Sequence, residues 1–328
     1  MTLYDETLFE ASLAKRFGKG TLKDLTAEPA KGAPGTFYAT PAESLNLALS
    51  IGGIAKGAIV EIFGPESSGK TTLALEILTV IQKESGIPVG YIDAEHAFNK
   101  EYAQAIGLDC SGKMLKFNQE MQTEQALNII QMMVQSGLSA VLLDSQPAIR
   151  PKREMDGEEV SESIVAGNSK LLRSALPKLR ALADQTGCVI IIINQISSKI
   201  TTYGDPETTS GGKAIPFYAD ARIRTSVTTP PDYLIRDGIA RGNRVKAKIV
   251  KLKWGPPLRT AEYDLIFGVG IDKLGSLVEA ALTKGIFVKA ASWVKFKGES
   301  IGQGTNGAKA WLEATPGAIE TIRTLLWE

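Results

Sequence analysis

The stretch "GPESSGKTT", Gly64 to Thr72, has the spacing of a phosphate cradle: one glycine, four residues, then Gly-Lys-Thr. It follows the apolar run "AIVEIF" and opens the helical pattern "TTLALEILTVIQKE". A loop between a strand and a helix N-terminus aims consecutive backbone N–H groups at one point. An anion there is held by hydrogen bonds and by the helix dipole together. Gly64, Pro65, Glu66, Ser67, Ser68, Gly69, Lys70, Thr71 and Thr72 are therefore the candidate nucleotide-binding residues. Lys70 is placed to reach the β and γ phosphates of ATP, and the Thr71 hydroxyl to ligate Mg2+. A glycine-rich turn without function is the competing reading, and the strand and helix on either side argue against it.

Three more apolar runs end in polar residues. "SAVLLD" stops at Asp144, "PVGYID" leads into "DAEHA", and "CVIIIIN" leads into "INQI". An acid closing a buried strand beside the phosphate loop holds Mg2+ through water, which pairs Asp144 with Thr71 at the metal. An acid at the end of an additional strand suits orientation of an attacking water. Glu95 is thus the candidate general base, ahead of Asp93, and hydrolysis is favoured over phosphate transfer to a small substrate. His96 is the only histidine, so neither a triad nor a zinc site can be completed around it. Gln195 can donate to a γ phosphate or cap its own strand, and position alone leaves both open.

Bringing such groups to one edge takes a parallel sheet. The four apolar runs read as strands buried on both faces, separated by the helical patterns "TTLALEILTVIQKE", "EQALNIIQMMVQS" and "SKLLRSALPKLRALADQ". "DARIRTSVTT", "NRVKAKIVKLKW" and "TAEYDLIF" alternate polar with apolar residues and are expected to extend the sheet with one face exposed. After Gly270 the composition shifts, and "SLVEAALTKGIFVKAASWVKFKGESIGQG" followed by two helical patterns reads as a small α/β domain. At the other end Leu8, Ala11, Leu13 and Phe17 recur near helical spacing, "GKG" stops the helix, and "AEPAKGAPG" reads as a linker that lets it dock on another subunit. The expected division is 1–35 (oligomerisation helix and linker), 36–269 (ATPase core) and 270–328 (C-terminal domain).

With 328 residues, 44% of them hydrophobic, the chain can bury a large core. It has no run long enough to span a bilayer and no secretory signal profile, so a cytoplasmic protein without membrane contact is expected. Cys110 and Cys188 are the only cysteines and lack metal spacing, which makes redox chemistry improbable. Lys and Arg number 37 against 36 Asp and Glu, so any polyanion site must be local. One such patch is "RGNRVKAKIVKLK", 241 to 253. Within it Arg244, Lys246 and Lys248 share one parity and Lys251 and Lys253 the other, so a regular strand points the last two to the opposite face. Two long polar segments, "PKREMDGEEVSES" (151–163) and "SSKITTYGDPETTSGGKA" (197–214), leave the same edge as the phosphate loop. Such segments can report nucleotide state to a polymer held between them.

The motifs "FGKG", "VEIFGPESSGKTTLALE", "YIDAEHA", "LLDS", "INQI", "GDPETTSGGKAIPFYA" and "KGESIGQG", in this order over nearly the whole chain, resemble the bacterial and phage RecA recombinase family. The resemblance implies an α/β fold: a RecA-type P-loop ATPase core, its mostly parallel sheet flanked by helices, with an N-terminal helix and a small α/β C-terminal domain. It implies a DNA-dependent ATPase that forms helical filaments on single-stranded DNA and pairs it with homologous duplex. Glu95 would activate water, Gln195 sense the γ phosphate, and Tyr102 stack on adenine with Phe267 nearby. Lys251 and Lys253 would reach ATP on the neighbouring subunit. Loops 157–164 and 196–210 would hold DNA, with Gly157, Ile164, Ser197, Lys199, Ile200, Tyr203, Glu207, Gly211 and Gly212 as contacts. Some positions depart from the family pattern. Asn99 stands where Asp is common near the adenine, and Phe267 where Tyr is usual. Ser197 and Ser169 replace basic residues, for which Lys170, Arg173, Lys178 and Lys199 are expected to compensate. The close at "TIRTLLWE" lacks an acidic tail, so weaker restraint on duplex binding is expected. A ring helicase or clock-type ATPase on the same core, and a nucleotide-binding scaffold without turnover, are the alternatives. The PETT and IGQG segments oppose the first, and intact Lys70, Glu95 and Asp144 the second.

Overall fold

A computed structural model describes residues 6–18, 33, 35–152, 163–198, 207–228, 233–236 and 239–328. The chain runs α1 (Glu6–Phe17), β1 (Phe37–Tyr38), α2 (Glu43–Ala48), β2 (Ile54–Ala55), β3 (Ile59–Gly64), α3 (Lys70–Ser85), β4 (Val89–Asp93) and α4 (Lys100–Ala105). It continues through β5 (Leu115–Asn118), α5 (Thr123–Gln135), β6 (Ala140–Asp144), α6 (Ser163–Thr186), β7 (Val189–Ser198), β8 (Glu207–Thr209) and α7 (Ala214–Tyr218). Then come β9 (Ala221–Val227), β10 (Tyr233–Arg236), β11 (Ile239–Leu252), β12 (Thr260–Ile266) and β13 (Gly270–Ile271). The last part holds α8 (Lys273–Thr283), β14 (Phe287–Ala290), β15 (Trp293–Phe296), β16 (Glu299–Gln303), α9 (Gly304–Ala314) and α10 (Ala318–Trp327).

The main sheet has the order β13-β12-β11-β9-β3-β7-β6-β4-β5 among the described residues. From β5 to β9 neighbours are parallel, and from β9 outward they are antiparallel. The reason lies in side-chain pattern. β3, β4 and β6 are buried at every position, as strands covered by helices on both faces must be, whereas β9 alternates buried and half-buried residues. One apolar layer joins Val60 and Ile62 of β3 to Leu73, Ile77 and Ile81 of α3. The opposite layer joins Ile59, Ile190 and Ile192 to α5 and α6 through Ile130, Leu172 and Leu176. A third cluster, with Leu277, Phe287, Val294, Leu312 and Ile322, is the core of the C-terminal sheet and its helices. None of the described side chains of α1 is buried. No described helix is long and apolar enough to cross a membrane.

Two expectations need correction. The segment 197–214 is not loop throughout: β7 runs on to Ser198 and β8 pairs back on it, Ile196 against Thr209 and Ser198 against Glu207, so the two ends form antiparallel stems. β11 is not a regular strand either. Its register against β9 shifts between Ile249 and Lys251, so that Lys251 faces Arg222 while Lys248 faces Arg224. Arg222 and Arg224 share one side, and the extra residue therefore returns Lys251 to the face of Lys246 and Lys248. The opposite-face reading of Lys251 and Lys253 fails for that reason.

Candidate functional site

The parallel strands deliver their carboxyl ends to one edge, where Gly64 lies beside Gln195 and Asp93 beside Asp144. The phosphate loop leaves β3 between β7 and β9. A Cβ on Gly64 would come 2.2 Å from the Thr225 carbonyl oxygen, so only glycine allows β9 this close. Gly69 turns into α3 at φ +81 and packs against Leu265. Ser68 Oγ donates to Pro65 O at 2.7 Å and lies 2.8 Å from Thr225 Oγ1, tying the loop to β9. Lys70 Nζ donates to Pro65 O at 2.6 Å. Burial lowers the Lys70 pKa, while the nearby carboxylates of Glu95, Asp144 and Glu66 oppose the shift.

Asp144 is buried at the end of β6. Tyr91 Oη donates to its Oδ2 at 3.0 Å, while Oδ1 has no hydrogen-bond partner. Burial, then the charge of Glu95, raises its pKa to about 6, against hydrogen bonds from Tyr91 and Thr71. A buried carboxylate with an unpartnered oxygen beside a threonine hydroxyl fits a hard divalent cation. No cluster of three or more His, Cys, Asp or Glu that could hold a metal exists among the described residues, so such an ion would draw most ligands from phosphate and water.

Glu95 is exposed just beyond β4, and its Oε1 accepts a short hydrogen bond from Ser145 Oγ. Its backbone N donates to Asp144 O at 3.3 Å. Asp93 is buried and differently engaged: its carboxylate accepts from Ala97 N, Phe98 N and Gln119 Nε2 at 3.1, 3.2 and 3.3 Å. It shapes the turn and has no oxygen turned to water. His96 is exposed with φ 55, another turn-forming position. Ser145 stands in the quoted "LLDS", where a hydroxyl directly after a strand-end acid was the available signal. Tyr91 could not be singled out, because its partner lies 53 positions away.

Gln195 is held through its neighbour. Its backbone N donates to Asn194 Oδ1 at 2.9 Å, and Asn194 Nδ2 donates to buried Glu61 and to Ser210 O at 2.8 and 3.0 Å. Glu61 also pairs with Arg222, whose guanidinium lies 4.6 Å from the Phe63 ring centroid. Tyr102 is half-buried on α4, and burial raises its pKa, with Thr72 opposing the shift. Asn99 caps α4, its Oδ1 accepting from Tyr102 N at 2.8 Å. Phe267 is 51% exposed at the far end of the groove that begins at the loop.

The lysine pair is occupied within the protomer. Lys251 Nζ donates to Pro216 O and Phe217 O, both at 2.8 Å, and Lys253 Nζ pairs with buried Asp220 Oδ1 at 2.9 Å. Lys170, Arg173 and Lys178 are exposed along α6. Gly211 and Gly212 take φ +84 and +72 where the turn after β8 packs on Leu172, Gln146 and Ser169. Ile164, Ser197 and Glu207 belong to α6, β7 and β8. Gly157, Lys199, Ile200 and Tyr203 lie outside the described residues, as does most of the linker.

Sequence comparison agrees with this architecture. The profile of the RecA N-terminal domain matches residues 6–272, and that of the RecA C-terminal domain residues 275–328. Protein RecA of Chloroherpeton thalassium is 42% identical over 314 residues, 95% of this chain and 85% of the relative. Protein RecA of Bifidobacterium breve is 40% identical over 316 residues, 95% of this chain and 78% of that one. Protein RecA of Frankia casuarinae is 40% identical over 324 residues, 97% and 90% respectively. With both profiles matched in order and such identity along the length, the chain belongs to the RecA family, the DNA-dependent ATPases of recombination and DNA repair.

Proposed function

We propose that this site hydrolyses ATP with Glu95 as general base and that the nucleotide controls assembly of a helical filament on single-stranded DNA. The filament then pairs its strand with homologous duplex. The observation that carries the reading is the Glu95 carboxylate, anchored by Ser145 next to Asp144 at the edge where the phosphate loop begins. A carboxylate with one oxygen anchored and its residue exposed can accept a proton from water, whereas Asp93 has both oxygens engaged. Lys70 gives up Pro65 O to neutralise β and γ oxygens, and Gln195 donates to the γ phosphate. Mg2+, when bound, neutralises phosphate charge; Asp144 Oδ1 and the Thr71 hydroxyl are the protein oxygens that would hold it. Tyr102 and Phe267 flank the base.

Loops 157–164 and 196–210 hold DNA, with Lys170, Arg173 and Lys178 adding charge along α6. Residues 1–35 link protomers, 36–269 form the ATPase core and 270–328 the C-terminal domain. Lys251 and Lys253 cross to the phosphates of the adjoining protomer, leaving their own carbonyl and Asp220 contacts. The test is steady-state ATP hydrolysis with and without single-stranded DNA, alongside electron microscopy. DNA-stimulated turnover and helical filaments are expected. Turnover indifferent to DNA, or closed rings, would overturn the reading.

A further inference from the structure

Lys251 and Lys253 are held within the protomer in different ways, and the difference falls on one acid. Lys251 donates to two backbone carbonyls, whereas Lys253 sits against the carboxylate of Asp220. Asp220 is 2% exposed just before β9, and its Oδ2 accepts from Ile59 N, at the first residue of β3, at 2.9 Å. The phosphate loop leaves the other end of β3, about 17 Å of strand away. Asp220 and Lys253 are therefore too far from the phosphates of their own protomer to touch them.

Asp220 also faces a second cation. Arg180 Nη1, on α6, lies 3.4 Å from Asp220 Oδ2 and donates to Gly57 O at 2.8 Å. Asp220 Oδ1 lies 2.9 Å from Lys253 Nζ yet is aligned for no hydrogen bond, and the Lys253 side chain is 42% exposed. The grip on Lys253 is thus one of charge, on a side chain with solvent to swing into. Stripping a buried carboxylate of its only cation is costly. Here Arg180 and Ile59 N stay behind on Oδ2, so Lys253 can leave without stranding the charge.

We propose that Asp220 is a positioning residue that sets how readily Lys253 crosses between protomers, and so the ATP concentration at which filaments lengthen, with Arg180 keeping the carboxylate paired once Lys253 has gone. The proposal rests on Lys253 reaching a neighbour's phosphates. Asp220 and Arg180 then act in opposite directions. Asp220→Asn keeps an acceptor for Ile59 N and removes the charge that holds Lys253, so crossing becomes easier. Arg180→Gln removes the reserve cation, so release of Lys253 leaves a buried charge unpaired and crossing becomes harder. Because Arg180 acts through Asp220, the two substitutions combined should behave as Asp220→Asn alone.

Electron microscopy of the full chain on single-stranded DNA, with ATP titrated, reads the concentration for half-maximal lengthening. Asp220→Asn is expected to lower it about fivefold, as for loss of a half-exposed ion pair, and Arg180→Gln to raise it to a similar extent. ATP binding by the dilute chain without DNA should match the native chain in both, since neither residue lies near the phosphate loop; thermal unfolding checks that each is folded. A shift of both variants in the same direction would mark a merely structural role. That result, an unchanged or raised threshold in Asp220→Asn, or altered DNA-free binding overturns the proposal. Should Asp220→Asn not fold, Arg180→Gln still decides, because an unchanged or lowered threshold there is equally fatal. Lys253→Ala separates this inference from the reading beneath it. If Lys253→Ala lengthens with ATP as the native chain does, the crossing itself falls. If Lys253→Ala loses lengthening while Asp220→Asn keeps the native threshold, this inference falls alone.

Discussion

At the scale of the residue, the proposed chemistry rests on one carboxylate, Glu95, being held ready while its neighbours are otherwise engaged. Glu95→Gln preserves size and the Ser145 contact but removes the proton acceptor, so ATP binding should persist while turnover falls about a hundredfold or more. Single-turnover hydrolysis beside a nucleotide-binding titration checks this, and turnover within a few-fold of native would remove Glu95 from the role. On this proposal Ser145 would act through Glu95, whose carboxylate accepts its hydroxyl hydrogen bond. Ser145→Ala is expected to lower kcat about tenfold with little change in KM for ATP, since it orients the base without touching phosphate. A rise in KM with kcat intact would show that Ser145 serves binding instead.

At the scale of the element, α3 carries the proposed phosphate site at its first turn and a buried acid, Glu76, one turn later. Glu76 Oε1 accepts from Ile271 N at 2.6 Å, joining α3 to β13 and so to the start of the C-terminal domain. Lys273 Nζ lies 3.9 Å from its other oxygen. Burial raises the Glu76 pKa, opposed by the Ile271 hydrogen bond and by Lys273 and Lys83; the buried Tyr263 and half-buried Tyr102 also feel its charge. A raised carboxyl favours the protonated folded state. Its contribution is full below the ordinary 4.5 and is lost as pH rises through the folded value. Glu76→Gln keeps an acceptor for Ile271 N and removes the charge. Its thermal midpoint should match the native one at acid pH and exceed it at pH 8, and a gap independent of pH would refute this.

At the scale of the whole molecule, the proposed assembly would compete with contacts inside each protomer. Lys251 and Lys253 are hydrogen-bonded or paired at home, so reaching a neighbour's phosphates exchanges one set of contacts for another. Such an exchange would couple nucleotide state to filament length, because hydrolysis would remove the partner that draws the lysines across. Lys251→Ala combined with Lys253→Ala should leave the chain folded and able to bind ATP while abolishing ATP-dependent lengthening and DNA-stimulated hydrolysis. Electron microscopy and an ATPase titration decide the matter. Long, active filaments from the double variant would mean that these lysines only stabilise the protomer.

The sequence by itself determined what local pattern can encode. Apolar runs ending in Asp144, Asp93 and Asn194 pointed to strands buried on both faces, and the glycine spacing of Gly64 and Gly69 to a tight turn between a strand and a helix. Only the tertiary structure decided contacts between residues far apart in the chain. Asp93 and Glu95 are nearly equivalent on paper, and what separates them beyond the local turn at Ala97 and Phe98 comes from Gln119 and Ser145, which lie just past the ends of β5 and β6. Alternation along β11 was legible up to Ile249, but the extra residue that reverses the parity of Lys251 appears only in the register against β9. Likewise Asn243 reads as an ordinary polar strand residue, and only the packing of its neighbours Val245 and Leu265 on Gly69 leaves its side-chain oxygen buried without a partner. The physical reason is common to all three. Periodicity and backbone conformation are properties of neighbouring residues, whereas desolvation and hydrogen-bond satisfaction depend on whichever element packs against them.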